Sequence, residues 1–262
     1  MIGYTQAIPG GVAITGFFPQ QKGTGVLLVT GAVAALVFVL LSPVDVHTPL
    51  MENPDLSVTL RFIAQSLLVF VSFGVFMVNW LPPGRPNDLP SIFIASAFLS
   101  TGLLTLAHIM TCRELLNVLE DSEDPIGSYF HLTSGASMSV GLAVAAFLPR
   151  TRRETRVTRR LVLSGFLATS AVFVAIPMLF PHSIPSLCPH EAPDSLLRIV
   201  AETALALTLV VATVKYYSLH RDTKDMVFAY LATATLLGVF SRAAFTEHEN
   251  AYDIYSAMSI CY

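Results

Sequence analysis

A chain of 262 residues that is 53% apolar and only 13% charged is too poor in charge for a soluble domain of its size, where about a quarter of residues are charged. Its net charge of -3 excludes a nucleic-acid partner held by an overall basic surface. What this composition fits is a protein whose solvent is largely lipid.

Residues 1–24 are mildly apolar and rich in Gly and Pro, without the organisation of a secretory signal peptide. They are read as a cytoplasmic segment ahead of a multi-helix membrane domain over 25–262. A span needs about 20 mostly apolar residues. By that measure spans are predicted at 25–43, 57–80, 89–111, 127–149, 160–180, 195–217 and 226–246. Ile254 to Tyr262 reads as the first turns of an eighth helix that this chain leaves incomplete. The expected fold is all-α: a polytopic membrane helical bundle of seven transmembrane helices with an incomplete eighth. Connections are short and punctuated by Pro and Gly, as at Pro82-Pro83-Gly84, Pro125, Pro181 and Pro189. No internal repeat of the kind common in transporters is visible.

The connecting loops alternate in charge. Arg150 to Arg160 contains six arginines, whereas Cys112 to Gly127 and Phe180 to Asp194 together contain one Arg and no Lys. Lys22, Arg85, the arginine run, Lys215, Arg221 and Lys224 all fall on one side of the predicted bundle. Cytoplasmic loops collect Lys and Arg, so the amino terminus is expected in the cytoplasm and the protein in the cell inner (plasma) membrane. The arginine run itself reads as an anchor on anionic inner-leaflet lipid.

Ionisable residues within spans are costly and therefore mark candidate sites. On this topology Arg61 and Gln65, His108, His131, Arg198 and Glu202, and Arg242 come from five helices and converge near the outer leaflet. The inner halves of these helices read as almost entirely apolar. Local pairing of Arg198 with Glu202, and of Arg242 with Glu247, would satisfy the charges without any ligand. Convergence of five helices on one layer points instead to a polar pocket, with three arginines and one acid suited to an anionic or carbonyl-bearing ligand. Metal binding has only weak candidates in His108, His131 and His248, because no helical HxxxH spacing occurs. His108 and His131 also face each other from adjacent spans in the manner of a haem pair. No cofactor is predicted. Cys112 and Cys188 lie in outer loops, where one disulfide is allowed.

Other seven-helix chemistries lack their residues. The last span has no lysine for a retinal Schiff base, and Ser134-Gly135-Ala136-Ser137 reads as small-residue helix packing rather than a protease nucleophile. Catalysis is not expected.

From about residue 56 onward the chain resembles the third type of membrane-associated sensor (MASE) domain of prokaryotic signalling proteins. The segments that carry the likeness are Ser72 to Trp80 (SFGVFMVNW), Leu103 to His108 (LLTLAH), Ser195 to Glu202 (SLLRIVAE) and Ser241 to Asp253 (SRAAFTEHENAYD). The chain departs from the family pattern at His131, in a helix expected to carry an arginine, and at Arg242, where an acid is usual. The resemblance implies an integral membrane sensor that reports an external or membrane-borne signal to a cytoplasmic output, a histidine kinase or cyclic-dinucleotide enzyme lying outside this chain. It also implies a homodimer, with His108 and Glu202 as the marked polar positions. The alternatives are a small transporter or permease component using the same polar layer as a vestibule, and a haem- or metal-binding redox protein.

Overall fold

The computed structural model describes residues 25, 29–36, 54–81, 88–111, 125–149, 156–180 and 192–246. They form helices α1 (Pro54–Trp80), α2 (Leu89–Thr111), α3 (Pro125–Phe147), α4 (Arg156–Leu179), α5 (Ala192–Thr223) and α6 (Met226–Thr246). Residues 29–36 are helical too, and Gly31 faces Leu236 of α6. Six helices among the described residues are long and apolar enough to cross a bilayer. The fold is thus the expected all-helical membrane bundle. Most of the first predicted span and the incomplete eighth helix lie outside the described residues.

Local chemistry sets the helix ends. Pro54 and Pro125 open α1 and α3, where the missing amide hydrogen would have had no partner in any case. Lys224 takes a left-handed conformation, φ 59°, and closes α5, a position more often held by glycine. Asp225 then caps α6, its Oδ1 accepting from the amide of Val227 at 3.0 Å. His220 donates from Nδ1 to the Asp225 carbonyl at 2.9 Å, which fixes its tautomer and ties the turn to α5. The prediction ended this helix at 217; the observed α5 starts at Ala192 and runs to Thr223.

The chain packs α1 on α2, α2 on α3 and α4, α3 on α5, and α5 on α6. Burial identifies the centre: 61% of the α2 span and 50% of the α3 span are buried, against 17% for α1 and 11% for α4. So α2 and α3 form the core, while α1 and α4 turn apolar faces outward to lipid. Small residues let the two central helices approach. A Cβ on Gly141 would collide with the Ala97 side chain.

Hydroxyls cross the seams as well. Ser137 donates to Ser100 at 2.8 Å, and Ser100 meets Ser170 at 2.6 Å, joining α3, α2 and α4. Thr213 donates to Thr235 at 2.8 Å between α5 and α6, and Tyr216 donates to the Leu142 carbonyl at 2.9 Å between α5 and α3. This corrects the expectation that the inner halves are almost entirely apolar. Uncharged hydroxyls are inexpensive in a membrane when they bond another helix, so they stand inside apolar runs without lowering hydropathy much.

The two ends of the bundle differ in charge. At one end Arg159 lies 3.8 Å over the Trp80 ring and donates to the Trp80 carbonyl, closing the C-terminus of α1 onto the first turn of α4. Lys215, 5.6 Å from the Phe147 ring, Arg160, Arg221 and Lys224 belong to the same end. The opposite end holds the ionisable residues predicted inside the spans.

Candidate functional site

At that opposite end a cavity of about 460 Å³ opens between the helices, within the range typical of small-molecule sites. Gln65 of α1, His108 of α2, His131 of α3 and Arg242 of α6 all line it. Each helix contributes by its own periodicity. His131, Ser134, Gly135 and Met138 stand at i, i+3, i+4 and i+7; Thr101, Thr105 and His108 stand at i, i+4 and i+7; Ala234, Gly238, Ser241 and Arg242 repeat the rule on α6.

Charge in the site is organised around Arg242, which is 8% exposed. Its Nη1 donates to both carboxylate oxygens of Glu202 at 3.4 and 3.2 Å. Glu202 itself is fully buried. It reaches the cavity through Arg242. This cross-helix pair joins α5 to α6, a partnership the local pairings did not anticipate; Glu247, expected beside Arg242, lies outside the described residues. Arg198, also buried, stands one turn before Glu202 on α5 and adds a second positive field at the same carboxylate. Two guanidiniums around one carboxylate make Glu202 the electrostatic hub of this end.

Gly135 leaves the space that Arg242 fills. A Cβ at Gly135 would lie 2.6 Å from Cζ and 2.7 Å from Nη2 of the guanidinium. The Ser134-Gly135-Ala136-Ser137 stretch, expected to serve helix packing, thus also admits an arginine side chain across α3. Beside it, the His108 and His131 rings meet edge to face with centroids 6.5 Å apart. The Thr105 hydroxyl is buried in the cavity wall with no hydrogen-bond partner among the described residues.

Of the seven predicted site residues, four line one cavity, Glu202 is bonded to one of those four, and Arg198 adjoins Glu202. Arg61 lies in α1, but its side chain is outside the described set, as are His248 and the cysteines at 112 and 188. Among the described residues no three His, Cys, Asp or Glu side chains are grouped to hold a metal ion. Sequence reasoning missed Thr105, Ser134, Gly135 and Ser241, although each shares a helical face with a residue it did identify. Neutral side chains carry no desolvation alarm, and only the i, i+3, i+4 spacing could have found them.

The chain belongs to the family of membrane-associated sensor domains, which it matches over residues 56–262. That stretch includes every described residue lining the cavity. No curated protein and no solved structure matches the chain.

Proposed function

We propose that this membrane-associated sensor domain detects an extracytoplasmic or membrane-borne ligand in the Arg242 cavity and relays its occupancy to a cytoplasmic output. The output would be a histidine kinase or a cyclic-dinucleotide enzyme, and the working form a homodimer in the inner (plasma) membrane. The amino terminus and the basic end, with Arg159, Arg160, Arg221 and Lys224, would face the cytoplasm, in keeping with the positive-inside rule.

The observation that carries this reading is the cross-helix ion pair. Arg242 lines the cavity and is bonded to Glu202, so a ligand that draws on the guanidinium changes how α6 is held to α5. A signal must favour one packing over another to be transmitted, and this contact offers such a difference. Helix α5 runs unbroken from Glu202 to the turn at Lys224, which gives the change a rigid path to the basic end.

The test is a chimera of this chain with a kinase reporter. Glu202→Gln and Arg242→Gln should each silence the response at normal membrane abundance. A response of wild-type size in both variants would overturn the reading.

A further inference from the structure

The cavity has a direction. Its ionisable residues sit at one end, and from there, Thr101 apart, the lining becomes apolar. On α6 the wall runs from Arg242 to Ala234, about 12 Å along the helix at 1.5 Å per residue. On α3 it runs from His131 to Met138, about 10 Å. Deeper residues include Leu68, Val71 and Leu209.

It also has a side door. Helix α1 packs on α2 and α6 packs on α5, while α1 and α6 make at most slight contact and residues 29–36 lie against α6 at Leu236. Cavity-lining residues along this gap are exposed: Leu67 by 62%, Val71 by 49%, and Ala234 as well. Val71 is the midpoint of the Phe62–Trp80 span, and Ala234 lies at the middle of Met226–Ala243. Exposed at that depth, these residues face hydrocarbon near the bilayer midplane, not water. A polar end near one interface and an apolar channel reaching the midplane reproduce the dimensions of one leaflet.

The polar end is rich in donors. Arg242 offers guanidinium hydrogens, Gln65 an amide, Thr105 a buried hydroxyl without a partner among the described residues, and the two imidazoles ring N–H groups. The amide, hydroxyl and imidazoles can accept as well as donate, but the guanidinium only donates and is cationic, so it selects a head group that accepts hydrogen bonds and preferably bears negative charge.

Resting on the sensory reading above, we infer that the ligand is a single-chain amphiphile with a carboxylate head, a long-chain fatty acid, entering from the outer leaflet between α1 and α6. The carboxylate lies between Arg242, Thr105 and the His108–His131 pair, and the chain runs past Met138 and Leu68 toward Val71.

The full chain in nanodiscs, photolabelled with a diazirine-bearing palmitate, tests this. Label should map to the α1–α6 gap near Val71 and Ala234, and unlabelled palmitate should compete. Hexadecanol, with the same chain but no charged head, should compete at least about tenfold more weakly. Butyrate, which stays in water, should not compete. Thr105→Val, close in shape, should weaken palmitate by about two- to tenfold without changing the thermal transition of the unliganded protein. Equal competition by hexadecanol, competition by butyrate, label confined to other surfaces or an unaltered affinity in Thr105→Val would each overturn the inference. Should palmitate fail while Glu202→Gln and Arg242→Gln still silence the chimera, the ligand class is wrong and the sensory reading stands.

Discussion

The guanidinium of Arg242 occupies the space where any side chain on Gly135 would begin, with Cζ 2.6 Å from the position of a Cβ. Two helices that barely pack on each other, α3 and α6, are thereby interlocked by an arginine passing over a glycine. Gly135→Ala should therefore destabilise the bundle by about 1–3 kcal/mol through overpacking, despite the gain in helix propensity. Thermal unfolding in detergent measures it. The same substitution should also silence the signalling chimera, because the arginine must leave its place against Glu202.

Removing one partner of the Arg242–Glu202 pair should cost more than removing both. Arg242→Leu leaves a fully buried carboxylate with a weakened field around it, and a loss of roughly 3 kcal/mol is expected from buried pairs of this kind. Adding Glu202→Leu should recover part of that loss. A double-mutant cycle on unfolding midpoints reads the coupling, and additivity of the two single effects would deny the pair.

At the basic end, Arg159→Ala should lower stability by about 1–2 kcal/mol, because it removes both the contact over Trp80 and the bond to the Trp80 carbonyl. Its neighbour Arg160 is exposed, so Arg160→Ala should change stability by less than about 0.5 kcal/mol. Comparing the two unfolding curves separates a structural arginine from a solvated one.

Ser100 sits between two other hydroxyls on two other helices. Ser100→Ala should cost about 1 kcal/mol or slightly more, the usual scale for hydrogen bonds between membrane helices. Ser164→Ala, where an exposed hydroxyl bonds only its own helix, should cost almost nothing. Equal effects would show that the Ser137–Ser100–Ser170 contacts contribute no stability.

Orientation is open to direct measurement. In a background without native cysteines, Arg160→Cys and Arg221→Cys should react with a membrane-impermeant maleimide only in inverted vesicles. Labelling from the outside of intact cells would reverse the topology read from the loops.

The elements were legible because lipid imposes a length and an apolar composition on every span. The bounds predicted for α2 and α6, 89–111 and 226–246, coincide with the observed helices. Helix α5 was placed too short, since polar residues beyond Tyr217 such as Arg221 and Asp222 end an apolar run without ending a helix. In the site, charged and aromatic residues announced themselves through their cost in a membrane. Their partners did not. Glu202 was matched to Arg198, which does act on it, because spacing along one helix is visible in a sequence, whereas Arg242 is 40 residues away and meets it only after α5 and α6 fold back on each other. Gly135 was legible as small, but what its smallness admits depends on α6.

Three of the hydroxyls at the helix seams have one further property. Ser170 bonds Ser100 and also the Phe166 carbonyl of its own helix; Thr213 and Thr235 likewise bond each other and their own Leu209 and Leu231 carbonyls. Each therefore keeps an acceptor at home if the neighbouring helix slides away. The α5–α6 seam, built this way on both sides, can be unfastened in hydrocarbon without stranding a bare hydroxyl there, so moving from one arrangement to the next carries little penalty beyond lost packing. Breaking the charged contact at Arg242 instead takes one of two guanidinium fields from a fully buried carboxylate, which makes it the clasp and the hydroxyl seams the hinge.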